Sequence, residues 1–318
     1  MKKTSLAFLF LTFSTVAAAQ APAADKPVRI LVGFPPGTTA DVIVRLMAPK
    51  MAEGLGQPVV VENRPGAGSS IAAEAAARAP ADGGTLLAST IANTINPALF
   101  KLAFDFTRDL APVALLAEAP GLLVAAADFP VASVRELIAA AKAAPGTILY
   151  GSSGNGTVTH LYGELFNLGT GVKLGHVPYK GSSQAVTDLL GGRIQLLFTP
   201  ASTVVPQVRA GKMKALGAIG QKRLAALPEV PTLAESGVAG FESGLWFGLN
   251  APGATPRAVI ERLNREVLRV LALPEIRAQL AAQSIEAAAG SPEQFGELIR
   301  ADTAKWARVV NAAGIKAD

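Results

Sequence analysis

The sequence has no cysteine. That excludes disulfides, a thiol nucleophile, thiolate metal sites and a lipid-modified cysteine, and leaves core packing alone to hold the chain together. Histidine occurs twice, so a metal centre would have to be assembled almost wholly from carboxylates. Aromatic residues are 6% and charged residues 17% of the total, too few for base-stacking surfaces or the clustered Lys/Arg of a nucleic-acid binder. Past the amino terminus, no stretch approaches about 18 apolar residues without a charge or proline, which excludes further membrane-spanning helices. No Gly-Lys-Ser/Thr phosphate-loop sequence occurs.

What is present is a long, apolar, small-residue-rich chain. Its 318 residues suggest about two domains, and a 50% hydrophobic content can fill sizeable cores. Residues 1–19 read as a secretory signal peptide: Lys2 and Lys3, an apolar run from Leu6 to Phe13 interrupted by Thr12, and Ala17-Ala18-Ala19 before Gln20. The competing reading, a retained anchor, meets the difficulty that the run is too short to span a bilayer. Cleavage would remove two lysines and lower the formal charge from +5 to +3, compatible with an anionic ligand.

The stretch Arg29 to Asp41 passes from a buried-strand pattern through Phe34-Pro35-Pro36-Gly37 into an amphipathic helix. Thr38 or Thr39 can cap that helix, whose free N–H groups would favour an anion at the carboxyl end of the first strand. A plain, proline-stiffened connector is the alternative. Strand and helix signals then alternate as in βα units, predicting an α/β fold. The helix beginning near Thr39 carries Ile43, Met47, Met51 and Leu55 on one stripe, with Pro49 expected to kink or shorten it. Two apolar runs, Val113 to Ala117 and Leu122 to Ala127, flank Glu118-Ala119-Pro120-Gly121, either a crossing into a second domain or a hairpin within one sheet. Past Pro228 to Gly237 the chain is expected to return to the first domain, through a strand at Trp246 to Leu249. Trp246 itself reads as a core residue. The tail is helical, with Thr255-Pro256 and Ser291-Pro292 as cap pairs and Gln294 completing a capping box with Ser291. No internal repeat is visible.

A second strand-to-helix stretch, Tyr150 to His160, is rich in glycine and hydroxyls. A nucleophile elbow on Ser153 would need glycine where Asn155 stands, and a dinucleotide fingerprint from Gly154 would need glycine where Thr159 stands. His160 and Glu164 share a helical face, as a metal pair or, more simply, a helix-face hydrogen bond. In His176 to Ser183, Ser182 or Ser183 is either a helix cap or a set of cleft donors.

Together these residues resemble the Bug family, the periplasmic receptors of tripartite tricarboxylate transporters. The matching motifs are Phe34-Pro35-Pro36-Gly37 with Asp41 and Arg45, Val61 to Gly68, Asp82-Gly83 with Thr85 to Leu87, and Ser153 to Gly156 with His160. They continue through His176 to Gly181, Leu227 to Thr232, and Trp246 to Leu249 with Pro252 and Pro256. The resemblance implies a two-domain Venus-flytrap of the type II-like periplasmic binding proteins, each domain a mainly parallel sheet flanked by helices. On that scheme residues 25–122 and 244–318 form one lobe and 123–243 the other. It implies a small carboxylate between Phe34, Pro35, Pro36, Gly37, Thr38 and Asp41 on one side and Ser153, Gly154, Asn155, Gly156, Thr157 and His160 on the other, with Tyr179 and Thr199 nearby. Thr38 stands where the family usually has a second glycine. Thr199 stands where many members carry an acid, which argues against an amino-acid ligand. The expected protein is a periplasmic monomer without cofactor, metal, catalysis or nucleic acid, working with membrane transporter subunits. The alternative is a secreted serine hydrolase using Ser153 and His160.

Overall fold

The computed structural model describes residues 26–242 and 244–316, so the expected signal peptide lies outside the described residues. The chain begins with β1 (Val28–Val32), α1 (Thr39–Leu55), β2 (Val59–Asn63), a 3-10 turn at Ala67–Ser69, and α2 (Ser70–Ala77). It continues through β3 (Thr85–Thr90), α3 (Ile91–Leu99), α4 (Phe106–Asp109) and β4 (Leu110–Ala119). A second run follows: β5 (Gly121–Ala126), α5 (Val134–Ala143), β6 (Leu149–Ser152), α6 (Val158–Thr170), β7 (Gly175–Pro178), α7 (Ser182–Leu190), β8 (Leu196–Pro200), α8 (Ala201–Arg209) and β9 (Met213–Ile219). The last elements are β10 (Leu245–Pro252), α9 (Arg257–Leu271), α10 (Pro274–Ala282), β11 (Glu286–Ala287) and α11 (Pro292–Ala313).

These strands make two sheets, in the orders β11-β4-β10-β3-β1-β2 and β7-β6-β8-β5-β9. β4 and β5 belong to different sheets, so Pro120 marks a crossing and the hairpin reading is excluded. β3 is buried at all six positions because helices cover both faces of the sheet's centre, and β2, at the edge, is only half-buried.

Both sheets are mixed: most strands of each run one way, as the family scheme expects, with antiparallel strands at the crossings. β1 pairs in parallel with β2 and β3, but β10 runs antiparallel between β3 and β4, with Leu245 opposite Ala119 and Pro252 opposite Leu110. In the second sheet β5 runs antiparallel to β8 and β9, with Gly121 opposite Ile219. The cause is the double crossing: the strand that leaves a sheet and the strand that enters it lie beside each other, in opposite directions.

α1 runs through Pro49 to Gly56, whose left-handed φ of 68° ends it. The helix survives because Pro49 is on the exposed face, where water can satisfy the carbonyl its ring leaves free, while Ile43, Val44, Met47 and Met51 bury the other face. Ser291 caps α11 as expected: its hydroxyl accepts from Gln294 N–H at 3.3 Å, and Gln294 accepts from Ser291 N–H at 2.9 Å. Thr255 does not cap. Its hydroxyl is buried without a partner, and Pro256 holds the cap position of α9.

α11 packs on β4 and α3 and also on α6. Phe295 meets Trp246 edge-on at 5.4 Å, and Trp306 meets Tyr162 of α6 at 5.8 Å. Asp302, 3% exposed, accepts from the Trp246 indole N–H at 2.7 Å, and its other oxygen lies 2.8 Å from the Lys305 ammonium. Losing this acceptor would strand a buried indole donor. Asp302→Ala should therefore lower unfolding stability by about 2–3 kcal/mol, read from the urea midpoint at constant slope.

Candidate functional site

Two corners of the chain share one geometry. Thr38 precedes α1 at φ −73°, ψ 159°, and Thr157 precedes α6 at φ −74°, ψ 159°. Each follows a left-handed glycine, Gly37 at φ 82° and Gly156 at φ 68°, a conformation that penalises a Cβ. Neither threonine caps its helix, contrary to the expectation for Thr38. The Thr38 hydroxyl donates back to Pro35 O at 2.8 Å, and the Thr157 hydroxyl to Gly154 O at 2.7 Å. In both corners the glycine N–H donates to a side chain four residues on: Gly37 to Asp41 Oδ2 at 2.9 Å, Gly156 to His160 Nδ1 at 3.1 Å. Among the described residues, no protein acceptor meets the N–H groups of Thr39, Ala40, Val158 or Thr159. These are the orphan donors of two helix starts.

Both corners open on one cavity of about 510 Å³. Of the sequence-predicted residues, Phe34, Thr38, Ser153, Asn155, Gly156 and Thr157 form its wall. Pro35, Pro36 and Gly37 are exposed outside it. Gly154 lies in the turn beneath, its N–H 3.1 Å from Ser152 Oγ. Asp41 and His160 sit behind their corners as braces. Burial pushes the Asp41 carboxyl up, but hydrogen bonds from Arg45, Gly37 and Asn63 outweigh it and hold the group below the ordinary carboxylate range. Asn63 also donates to Phe34 O at 3.0 Å, so the end of β2 fastens the first corner. Tyr179 is turned to Asp188, its hydroxyl donating at 2.9 Å, and desolvation followed by that carboxylate pushes it up to about 12. Thr199 is buried on β8 with an unpartnered hydroxyl, away from the wall.

The groups that suggest a hydrolase are used for scaffolding. The Ser153 hydroxyl lies 2.9 Å from Thr159 Oγ1, which also accepts the Ser153 N–H, and His160 Nδ1 is taken by Gly156. Glu164, on the same helical face as His160, accepts from the Tyr150 hydroxyl at 2.7 Å. His160 stacks on His176 at 3.7 Å and 7°, and Tyr150 stacks on His176 at 5.0 Å. Trp246 is buried and yet reaches the cavity.

The sequence reading missed α3. Ile91, Ile95 and Leu99 repeat at four-residue spacing and, with Phe100, form one apolar wall of the cavity. Asn96 Nδ2 binds Gly68 O at 2.7 Å and so holds the loop after β2 at the rim. A signal was there: Thr90 and Asn93 cap the helix reciprocally, followed by that spacing. No ionisable side chain lies on the wall among the described residues.

The family model described as Tripartite tricarboxylate transporter family receptor matches residues 43–315. The chain belongs to that receptor family. Protein BugT of Bordetella pertussis is 35% identical over 318 residues, covering 98% of each chain. The solved structure of Rpa4515 from R. palustris with adipate is 35% identical, with a TM-score of 0.75, and covers 92% of this chain and 98% of that one. MatC of Rhodopseudomonas palustris with bound malate is 32% identical, with a TM-score of 0.73, over 90% and 99%. Such similarity carries the two-domain periplasmic-binding-protein fold to this receptor.

The histidine stack should show in stability. Burial first, and then neighbouring His160, depresses His176 to about 4. An unfolded histidine protonates near about 6.5. Between those values the unfolded chain binds the extra proton, so this contribution is full above about 6.5 and is lost as pH falls toward about 4. Urea midpoints of His176→Gln should fall less steeply than those of the unaltered receptor across that window; equal slopes would show that the stack does not hold His176 neutral.

Proposed function

We propose that this receptor is exported to the periplasm through a cleaved leader and captures a small carboxylate between two lobes, without catalysis. The lobes are residues 25–122 with 244–318, and 123–243. The single observation that carries the reading is that both free-donor corners face the same cavity, one after β1 of the first sheet and one after β6 of the second. The adipate and malate held by relatives support a carboxylate.

Magnitudes support capture by closure. A helix terminus contributes about 0.3–1 kcal/mol at a surface and up to about 2 when partly buried. A micromolar Kd needs about −8 kcal/mol. One corner is insufficient. Hydrogen bonds to a charged group contribute about 1.5–3 kcal/mol each, so several donors from both corners, made together, reach the required order. The closed form is then the state that membrane subunits of a tripartite transporter distinguish from the open one. Monomeric action fits the exposed large apolar residues, Val60, Ile71, Leu168 and Leu190, which sit singly on four different elements.

Two measurements test this. At least one member of a panel of mono-, di- and tricarboxylates should raise the melting temperature, and Gly156→Val should abolish that rise while still melting cooperatively. The valine costs about 1–2 kcal/mol in a left-handed position and directs its Cβ to 2.8 Å from the Leu99 Cδ1 of the other lobe. A panel without effect would overturn the receptor reading. Activated esters should be turned over no faster by the purified protein than by its Ser153→Ala variant; turnover lost on that substitution would restore the hydrolase.

A further inference from the structure

The chain segments that pass between the two sheets divide the space between them. Ala119-Pro120-Gly121 joins β4 to β5, and the segment entering β10 lies against it: a Cβ on Gly244 would stand 2.8 Å from Ala119 O and 3.3 Å from Pro120 Cα. The cavity with the two donor corners lies to one side of this pair, at the ends of β10, β3 and β1 in the first sheet and of β6 and β8 in the second. To the other side, toward the edge strands β11 and β9, lie two further cavities of about 340 and 100 Å³ that share Pro120 and Glu286. The larger is bounded by α10 and β11 on one side and by Leu224 to Ala226 on the other. The smaller is bounded by Glu118 and Glu286 and by Gln221 and Lys222, which follow β9.

Given the two-lobe capture proposed above, a rotation about the crossings that narrows the front cavity widens the space behind them. The back therefore carries a share of the balance between open and closed forms, although no ligand in the front cavity touches it. Its charges are placed to act on that balance. Glu118 and Glu286 stand directly opposite one another on β4 and β11, two like charges in register. Lys222 joins them in the wall of the smaller cavity from the other sheet's side. Burial first, and then Glu286 and Asp302, push the Glu118 carboxyl above its ordinary range, and Lys222 opposes that shift. Asp302 is already held by Lys305 and the Trp246 indole, so Lys222 is left to answer the strand pair. Its attraction draws the two sides of the back together and thereby holds the front apart. We propose that Lys222 is an affinity-setting residue: acting on Glu118 and Glu286 behind the crossings, it weights the receptor toward the open form and weakens binding in the front cavity without touching the ligand.

A chain without cysteine accepts spin labels only where cysteines are introduced, here Pro65→Cys after β2 and Lys180→Cys after β7, the edge strands farthest from the crossings. Without ligand, Lys222→Glu should shorten the distance between the labels, read by double electron–electron resonance, because three acids then repel one another behind the crossings. Lys222→Arg, which keeps the charge, should leave the distance unchanged. Ala225→Trp, at an exposed position on the larger back cavity, should shorten it by filling that space. In calorimetry on unlabelled protein with adipate, malate and citrate, each acid that binds should bind Lys222→Glu about threefold more tightly, the scale of one exposed ion pair acting through the open and closed populations. Distances unmoved or lengthened in both Lys222→Glu and Ala225→Trp would overturn this inference and leave the carboxylate receptor standing. Shortened distances with none of the three acids bound would uphold it and count only against the carboxylate reading.

Discussion

An amide N–H shut away from water without an acceptor costs about 1–3 kcal/mol, and most helices spend a side chain to avoid it. Here the side chains at the two cap positions do the opposite. Thr38 and Thr157 turn their hydroxyls backward to carbonyls three residues earlier, and Asp41 and His160 draw the preceding glycine N–H groups away. The result is two helix starts whose first N–H groups are taken by no side chain of their own corner and lie at the wall of one cavity. Everything else in the fold serves to aim these two sets of donors at one space.

That aim depends on the mixed pairing of the sheets. β4 leaves the first sheet beside β10, which re-enters it, and β5 and β9 repeat the arrangement in the second. The carboxyl ends of β1 and β6 therefore come to opposite sides of the same gap. α11 packs on β10 through Phe295 at Trp246 and on α6, a helix of the second run, through Trp306 at Tyr162, so the cores behind the cavity are continuous.

Much of this was legible in the sequence where a local rule decides it. Strand, Pro/Gly turn and helix at Arg29 to Asp41 and the capping box of Ser291 and Gln294 follow from residues near one another in the chain, whereas the crossing at Pro120 is told from a hairpin only by the sheets on either side of it. What escaped depends on distant partners or on chemistry that different residues can supply. The antiparallel place of β10 is fixed by β3 and β4, about 130 residues and more away in sequence. The likeness of the two corners escaped because Pro35-Pro36 faces Gly154-Asn155 and an aspartate faces a histidine; the repeat lies in backbone angles and hydrogen bonds. α3 escaped because Pro97 and three polar residues interrupt its pattern. Ser153 and His160 stayed ambiguous for the opposite reason: both residue types can do catalysis, and their hydrogen bonds to Thr159 and Gly156 are visible only in the fold.

The wall without ionisable groups has one more consequence. A receptor outside the inner membrane experiences whatever acidity its surroundings impose, and an arginine–carboxylate or histidine site would follow those swings to some degree. Peptide dipoles do not titrate. What acidity can reach is the bracing behind the second corner, where His160 accepts from Gly156 N–H and stacks on His176, so the first corner keeps its geometry in sour surroundings that loosen the second.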